Sequence, residues 1–166
     1  IMIRELFNKE LIFHSHNSAA IERASDVGDE YVRAGMAQFG YSGFDESLGL
    51  KKVLKLYANR VSSRVLKAGQ SVGYGGVFTA KHDMDIATYD LGYGDGLFRY
   101  NGKGELNLAN GKPILGKMSM DSFSSIDMGE RICVIDDANI WAEFFDTINY
   151  DVLVKLSPLI NRRVVE

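Results

Sequence analysis

Glycine, more than any other residue, limits what this chain can fold into. Seventeen glycines stand against two prolines in 166 residues. From residue 50 onward they cut alternating apolar and polar runs into short pieces: 50–80, 83–100, 104–128 and "ERICVIDD" at 130–137. Glycine supplies backbone conformations closed to other residues, and "YGDG" and "ANGK" have the composition of tight turns. Such a pattern predicts short strands in an all-β barrel or sandwich. "NIWAEFFDTI" (139–148) is the best helix of the second half, and Leu153–Leu156 and Val164–Val165 are expected to close the sheet as strands.

The first fifty residues have another rhythm. Residues 2–8 are expected to end a helix, and "LIFHSH" (11–16) reads as a short strand. "NSAAIERAS" (17–25) reads as a helix, with Asn17 or Ser18 able to cap it and Glu22 to reinforce its first turns. "EYVRAGMAQFGY" (30–41) is mixed and glycine-punctuated, completing a strand–helix–strand α/β segment, and "SGFDESLG" (42–49) reads as a linker. The chain opens on "IMIRELFNKE", without an initiator methionine and as if inside a fold, so it is expected to be a piece of a longer protein. Charges every few residues make that opening unlike a signal peptide.

A net charge of −3 with no basic run argues against nucleic acid as a partner. No stretch approaches the roughly 20 apolar residues that span a bilayer. The single cysteine, Cys133, lies in an apolar run read as a buried strand and can form no internal disulfide, which fits a cytoplasmic location. No His, Cys, Asp or Glu spacing suggests a metal, and neither a dinucleotide fingerprint nor a Walker loop is present.

Several residues could carry chemistry. "SVGYGGVFTA" strips the space around Tyr74, which is either a strand tyrosine beside a bulge or a phenol aimed into a cavity. "GYGDG" repeats the device around Tyr93, either as a plain hairpin turn or as a second such site. "MSMDS" offers Met120 and Asp121, by composition core filler and a turn residue. His14 and Arg33 both fall in the α/β segment.

Taken in order, "FHSHNSAAI", "VRAGMAQFG", "VGYGGVFTA", "LGYGDGLFR", "GKMSMDS" and "INYD" resemble the motifs of the carboxy-terminal half of the alanine racemases, over essentially the whole chain. The resemblance implies a mainly β fold. Residues 1–44 would be the last strand–helix–strand remnant of a (β/α)8 barrel that binds pyridoxal 5′-phosphate (PLP), and residues 50–166 the C-terminal β-domain. It implies a homodimer with active sites at the subunit interface, interconverting L- and D-alanine for peptidoglycan in a bacterial cytoplasm.

Residue by residue, Tyr74 resembles the catalytic tyrosine that reaches into the partner's site and handles the α-proton on one face of the substrate. Arg33 matches the arginine facing the pyridine nitrogen, and His14 the histidine that hydrogen-bonds it. Ser18, Gly35 and Met36 match phosphate-binding positions, the last two through backbone N–H, and Tyr150 matches the tyrosine bonded to the phosphate. Met120 matches the residue whose backbone N–H holds the substrate carboxylate. Tyr93, Arg99 and Lys117 resemble positions lining the entry channel. The lysine that carries the cofactor, in a K-A-[ND]-A-Y-G context, is absent, so this chain alone is expected to be inactive. Ser122 stands where glutamine is usual and Ala34 where proline is common. The alternative is a non-catalytic β-domain, a binding or dimerisation module derived from a racemase.

Overall fold

The computed structural model describes residues 11–26, 28, 31–43 and 48–165. The chain divides into two compact units, 1–53 and 54–166. The helix end expected at 2–8 lies outside the described residues.

In the first unit, Asn17 begins helix α1 (Ser18–Arg23), its side chain accepting the Ala20 N–H at 2.9 Å. That cap satisfies one of the helix's orphan donors. Glu22 does not reinforce the first turn: its Oε2 accepts from the Ser42 hydroxyl at 2.8 Å. Residues 11–16 are not a strand. Their only ladder is a single parallel bridge, Asn17 to Arg33, because no described neighbour extends the pairing. Residues 36–39 form a 3₁₀ turn rather than a third element of a strand–helix–strand unit.

The second unit is mainly β. Its strands are β1 (Leu56–Leu66), β2 (Ser71–Val72), β3 (Phe78–Thr79), β4 (Met84–Tyr89), β5 (Ile114–Leu115), β6 (Phe123–Ile126) and β7 (Arg131–Ile135). Five of them form an antiparallel sheet in the order β5-β6-β4-β1-β7, and β2 and β3 form a separate hairpin. β1 is shared. Leu56–Asn59 pair with β7 and Arg60–Leu66 with β4, with register shifts at Leu56/Tyr57 and Arg60/Ser62. Such bulges bend a long strand and increase its twist.

One core cluster gathers Leu66, Val72, Ala80, Ile86 and Leu115, so the small hairpin packs against the main sheet. Tyr89 stacks on Phe123 with ring centroids 5.6 Å apart, and the Tyr89 hydroxyl accepts the Met128 N–H at 3.0 Å. At the strand-sharing point Arg60 grips Asp127 at 2.8 Å and also contacts Glu130. Helix α2 (Ala138–Phe144), capped by Asp137, buries Trp141 and Ala142.

Residues 149–154 form helix α3 (Asn149–Val154), not a closing strand. Val152, Leu153 and Leu156 are buried at one- and three-residue spacings that suit a helical face better than an alternating strand. Val164 and Val165 are exposed coil and close nothing. Cys133 does lie on a strand, β7, but is only half-buried, and that burial raises its thiol pKa, with Asp136 adding to the effect.

Candidate functional site at three converging loops

The three glycine-rich motifs of the second unit meet in space. The first is the β2–β3 hairpin. Gly73 has φ +81° and ψ 165°, a conformation open essentially to glycine alone, and leads into a 3₁₀ turn at Tyr74–Gly76. A Cβ on Gly73 would stand 2.6 Å from the Lys117 backbone nitrogen, and one on Gly116 would stand 2.5 Å from the Val72 carbonyl oxygen. Two backbones therefore touch directly, and any side chain at either position would part them. Tyr74 is left projecting at 68% exposure. It lies on a turn at the rim, rather than within a strand beside a bulge.

The second loop, Gly92–Gly96, is held by Asp95, whose Oδ2 accepts the Gly92 N–H at 2.8 Å. It docks on the third loop through Tyr93 N–H to Ser119 O at 3.2 Å and Gly94 N–H to Met120 O at 2.8 Å. A Cβ on Gly92 would fall 2.2 Å from the Met120 carbonyl oxygen. Arg99 lies over the Tyr93 ring, 5.5 Å from its centroid.

Between the first and third loops lies a depression of about 400 Å³, lined by Tyr74, Lys117, Ser119, Ser122, Thr88 and Ser124. One phenol, one ammonium and four aliphatic hydroxyls give it donors and acceptors but no carboxylate. The exposed phenol stands where a group delivered from another surface could meet it. Of the four hydroxyl residues only Ser122 was singled out from the sequence. Ser119 had a signal in its S-x-x-S spacing with Ser122; Thr88 and Ser124 had none, since only the sheet sets them opposite each other on β4 and β6.

The first unit gathers a second set. The Arg33 side chain donates from Nε to the His14 carbonyl at 3.2 Å and from a terminal nitrogen to the Ser15 carbonyl at 3.3 Å. His14 thus meets Arg33 through its backbone oxygen, not its ring. Ser18 is buried, and its Oγ accepts the Gly35 N–H at 3.0 Å; Met36 opens the 3₁₀ turn that follows. Tyr150 is half-buried in the first turn of α3. Among the described residues no group of three potential metal ligands occurs, and no helix is long and apolar enough to cross a membrane.

Sheet order and loop cluster together define a β-domain that presents one candidate site where three loops converge. Residues 53–164 match the family described as "Alanine racemase, C-terminal domain", and the chain belongs to the alanine racemase family. It is 69% identical over 157 residues to the alanine racemase of Campylobacter concisus (strain 13826), covering 95% of this chain and 47% of that protein. It is 62% identical to the alanine racemase of Campylobacter jejuni subsp. jejuni serotype O:23/36 (strain 81-176), covering 99% of this chain and 48% of that protein. The chain thus spans about half the length of the curated relatives it matches. Among solved structures it resembles alanine racemase from Bartonella henselae with covalently bound pyridoxal phosphate, with a TM-score of 0.78 and 27% identity over 95% of this chain and 48% of that one. It also resembles alanine racemase of Clostridium difficile 630, with a TM-score of 0.80 and 27% identity over 93% of this chain and 47% of that one.

Proposed function

We propose that this chain is the carboxy-terminal portion of a PLP-dependent alanine racemase. The whole protein would interconvert L- and D-alanine in a bacterial cytoplasm, supplying D-alanine for peptidoglycan. It would act as a homodimer in which each β-domain, about 50–166, completes the partner's barrel, of which about 1–44 is the last part. The observation that carries this reading is Tyr74, projecting from a glycine-built turn in direct backbone contact with the third loop, which the second loop braces in its turn.

The first unit fits one end of the cofactor. Ser18 keeps its hydroxyl proton free to donate to a phosphate while its oxygen accepts from Gly35; that bond takes up the Gly35 N–H, so the Met36 N–H, opening the 3₁₀ turn, would be the backbone donor to the anion. Arg33, tethered by two carbonyls, would present a permanent cation to the pyridine nitrogen. Tyr150 would add a phenol to the phosphate. The attachment lysine lies outside this chain, which alone would neither bind the cofactor covalently nor racemise. Bound, the cofactor would withdraw electrons from the substrate α-carbon.

Racemisation requires a proton to leave one face of that carbon and another to arrive on the opposite face. Tyr74 would serve one face through its phenolic oxygen. The Met120 N–H would hold the substrate carboxylate, and Tyr93, Arg99 and Lys117 would line the approach.

The test is α-proton exchange from each enantiomer in a Tyr74→Phe variant of the whole protein. Loss of a positioned acid–base group costs about 10²–10⁴-fold. That loss is expected for one enantiomer only, with the other retained. Equal residual exchange from D- and L-alanine would refute the one-tyrosine, one-face assignment. Unchanged exchange from both would favour the non-catalytic module.

A further inference from the structure

The third loop contains a hydrogen-bonded hub that no motif reading assigns. Residues 119–122 close on themselves through Ser119 N–H to Ser122 O at 2.8 Å. Inside this closure, Ser119 Oγ accepts the Ser122 N–H at 2.9 Å and the Asp121 N–H at 3.3 Å. It also lies 3.0 Å from the Ser122 carbonyl oxygen and 2.9 Å from Ser122 Oγ. A serine oxygen accepts two hydrogen bonds and donates one; the two N–H groups fill its acceptor sites, and its one proton goes to one or the other of the two Ser122 oxygens.

The consequence falls on Met120, the one residue of the turn whose amide is left over. The N–H groups of Ser119, Asp121 and Ser122 are all consumed within the turn, and the Met120 N–H has no partner among the described residues. From the other side, the Met120 carbonyl is pinned by Gly94 N–H at 2.8 Å. The two peptide planes flanking Met120 are thus fixed by groups on both sides, and a single donor points away from them. A donor fixed in advance binds a charged oxygen without reorganising at the moment of binding.

We infer that Ser119 is a positioning residue: its hydroxyl, completed by Ser122, holds the Met120 N–H in place for a carboxylate. This rests on the reading of Met120 as the substrate-carboxylate donor. It also gives Ser122 a role in place of the glutamine usual at that position: a short hydroxyl that fills the hub from within the turn. Specificity for the carboxylate would then be set by the rigidity of a four-residue turn, with no charged side chain of this chain in contact with it.

The experiment uses the full-length, cofactor-loaded protein with Ser119→Ala and Ser119→Thr. The alanine variant is expected to raise KM for alanine about tenfold, the worth of one well-placed hydrogen bond, while kcat stays within about twofold. The threonine variant, which keeps the oxygen, is expected to restore KM. Amide hydrogen exchange gives a readout independent of activity: Asp121 and Ser122 should exchange faster in Ser119→Ala and at the wild-type rate in Ser119→Thr. A raised KM with unchanged exchange would overturn the positioning role while leaving Met120 as donor. Faster exchange with unchanged KM would show a loosened turn that does not bind the carboxylate, and would overturn the Met120 reading and the proposal together. A fall in kcat alone, not restored by threonine, would mark Ser119 as merely structural and overturn the proposal.

Discussion

Replacing Gly73 with alanine puts a methyl group where two backbones already touch. The new Cβ would stand 2.6 Å from the Lys117 nitrogen and 3.0 Å from the Gly116 Cα, and neither atom is the movable end of a side chain. The backbone at φ +81° and ψ 165° adds strain of about 1–3 kcal/mol for any residue but glycine. Overpacking against a fixed neighbour costs a further 1–3 kcal/mol or so. The two costs share one relief, parting the hairpin from the third loop, so they do not add in full. The expected destabilisation is about 3 kcal/mol, a large share of the roughly 5–15 kcal/mol that holds a domain folded.

The control lies two residues away. Gly75 also has positive φ (+72°, ψ 13°), but in the left-handed helical region, and a Cβ there would find only the flexible Lys117 ammonium at 4.0 Å. Gly75→Ala should therefore cost only about 1–2 kcal/mol. Urea unfolding of the whole protein, followed by circular dichroism, compares the two variants at equal m-value. Gly73→Ala should unfold at the lower urea concentration and lose more of kcat/KM, because parting the loops also displaces Tyr74. If Gly73→Ala proves no more disruptive than Gly75→Ala, the direct backbone contact is not what holds the loops together.

Two further outcomes follow from the second unit. Trp141 is 1% exposed and its indole N–H has no hydrogen-bond partner, so Trp141→Ala should cost about 3–5 kcal/mol of unfolding free energy. Trp141→Phe should cost much less, since it forfeits no hydrogen bond. The Asp127 carboxyl is held below its ordinary pKa, first by the Gly129 N–H and then, against partial burial, by Arg60. Its contribution is therefore present above the usual carboxylate pKa of about 4 and is lost as pH falls through the lower folded value. Asp127→Asn should be less stable at neutral pH and should lose less on acidification, as read from Tm between pH 6 and pH 2.5. Its slope should flatten without vanishing, because Asp83, held low by Lys67, remains.

The turn chemistry was legible because glycine has few reasons to cluster. The strip around Tyr74 and the loop around Tyr93 were both found from residue type alone, and both proved to be 3₁₀ turns at points of backbone contact. The helix expected at 139–148 was plain from its apolar residues, but it runs Ala138–Phe144, capped by Asp137, and ends four residues before the expected end. What failed was register and partner. "DVLVKL" is rich in β-branched residues and reads as a strand, yet its buried Val152, Leu153 and Leu156 follow a helical face. "LIFHSH" has strand composition, but a strand exists only with a neighbour, and the described residues supply one bridge. The site itself is non-local: the contact of Gly73 with Lys117 and of Gly94 with Met120 joins segments that no periodicity relates. The Ser119 hub was hidden for a different reason. Its two methionines drew the eye to packing, while the bonds run through a serine whose spacing alone was the clue.

The sharing of β1 between two neighbours also sets a timetable for synthesis. As the ribosome releases Leu56–Leu66, neither strand that will pair with it has been made. Its C-terminal half finds β4 within about two dozen residues, a delay of a few seconds at the roughly 5–20 residues per second of translation. Its N-terminal half must wait for β7, about seventy residues on, or roughly 3–14 s at the same rate. Through that interval Leu56 and Ala58, both buried at the end, face water with their backbone groups unpaired. A nascent chain in that state offers an open edge to any passing strand. Slowing elongation between residues 90 and 130 would lengthen that exposure, and speeding it would shorten the exposure. For this fold, codon choice across residues 90–130 becomes a determinant of yield that no measurement on the finished protein would reveal.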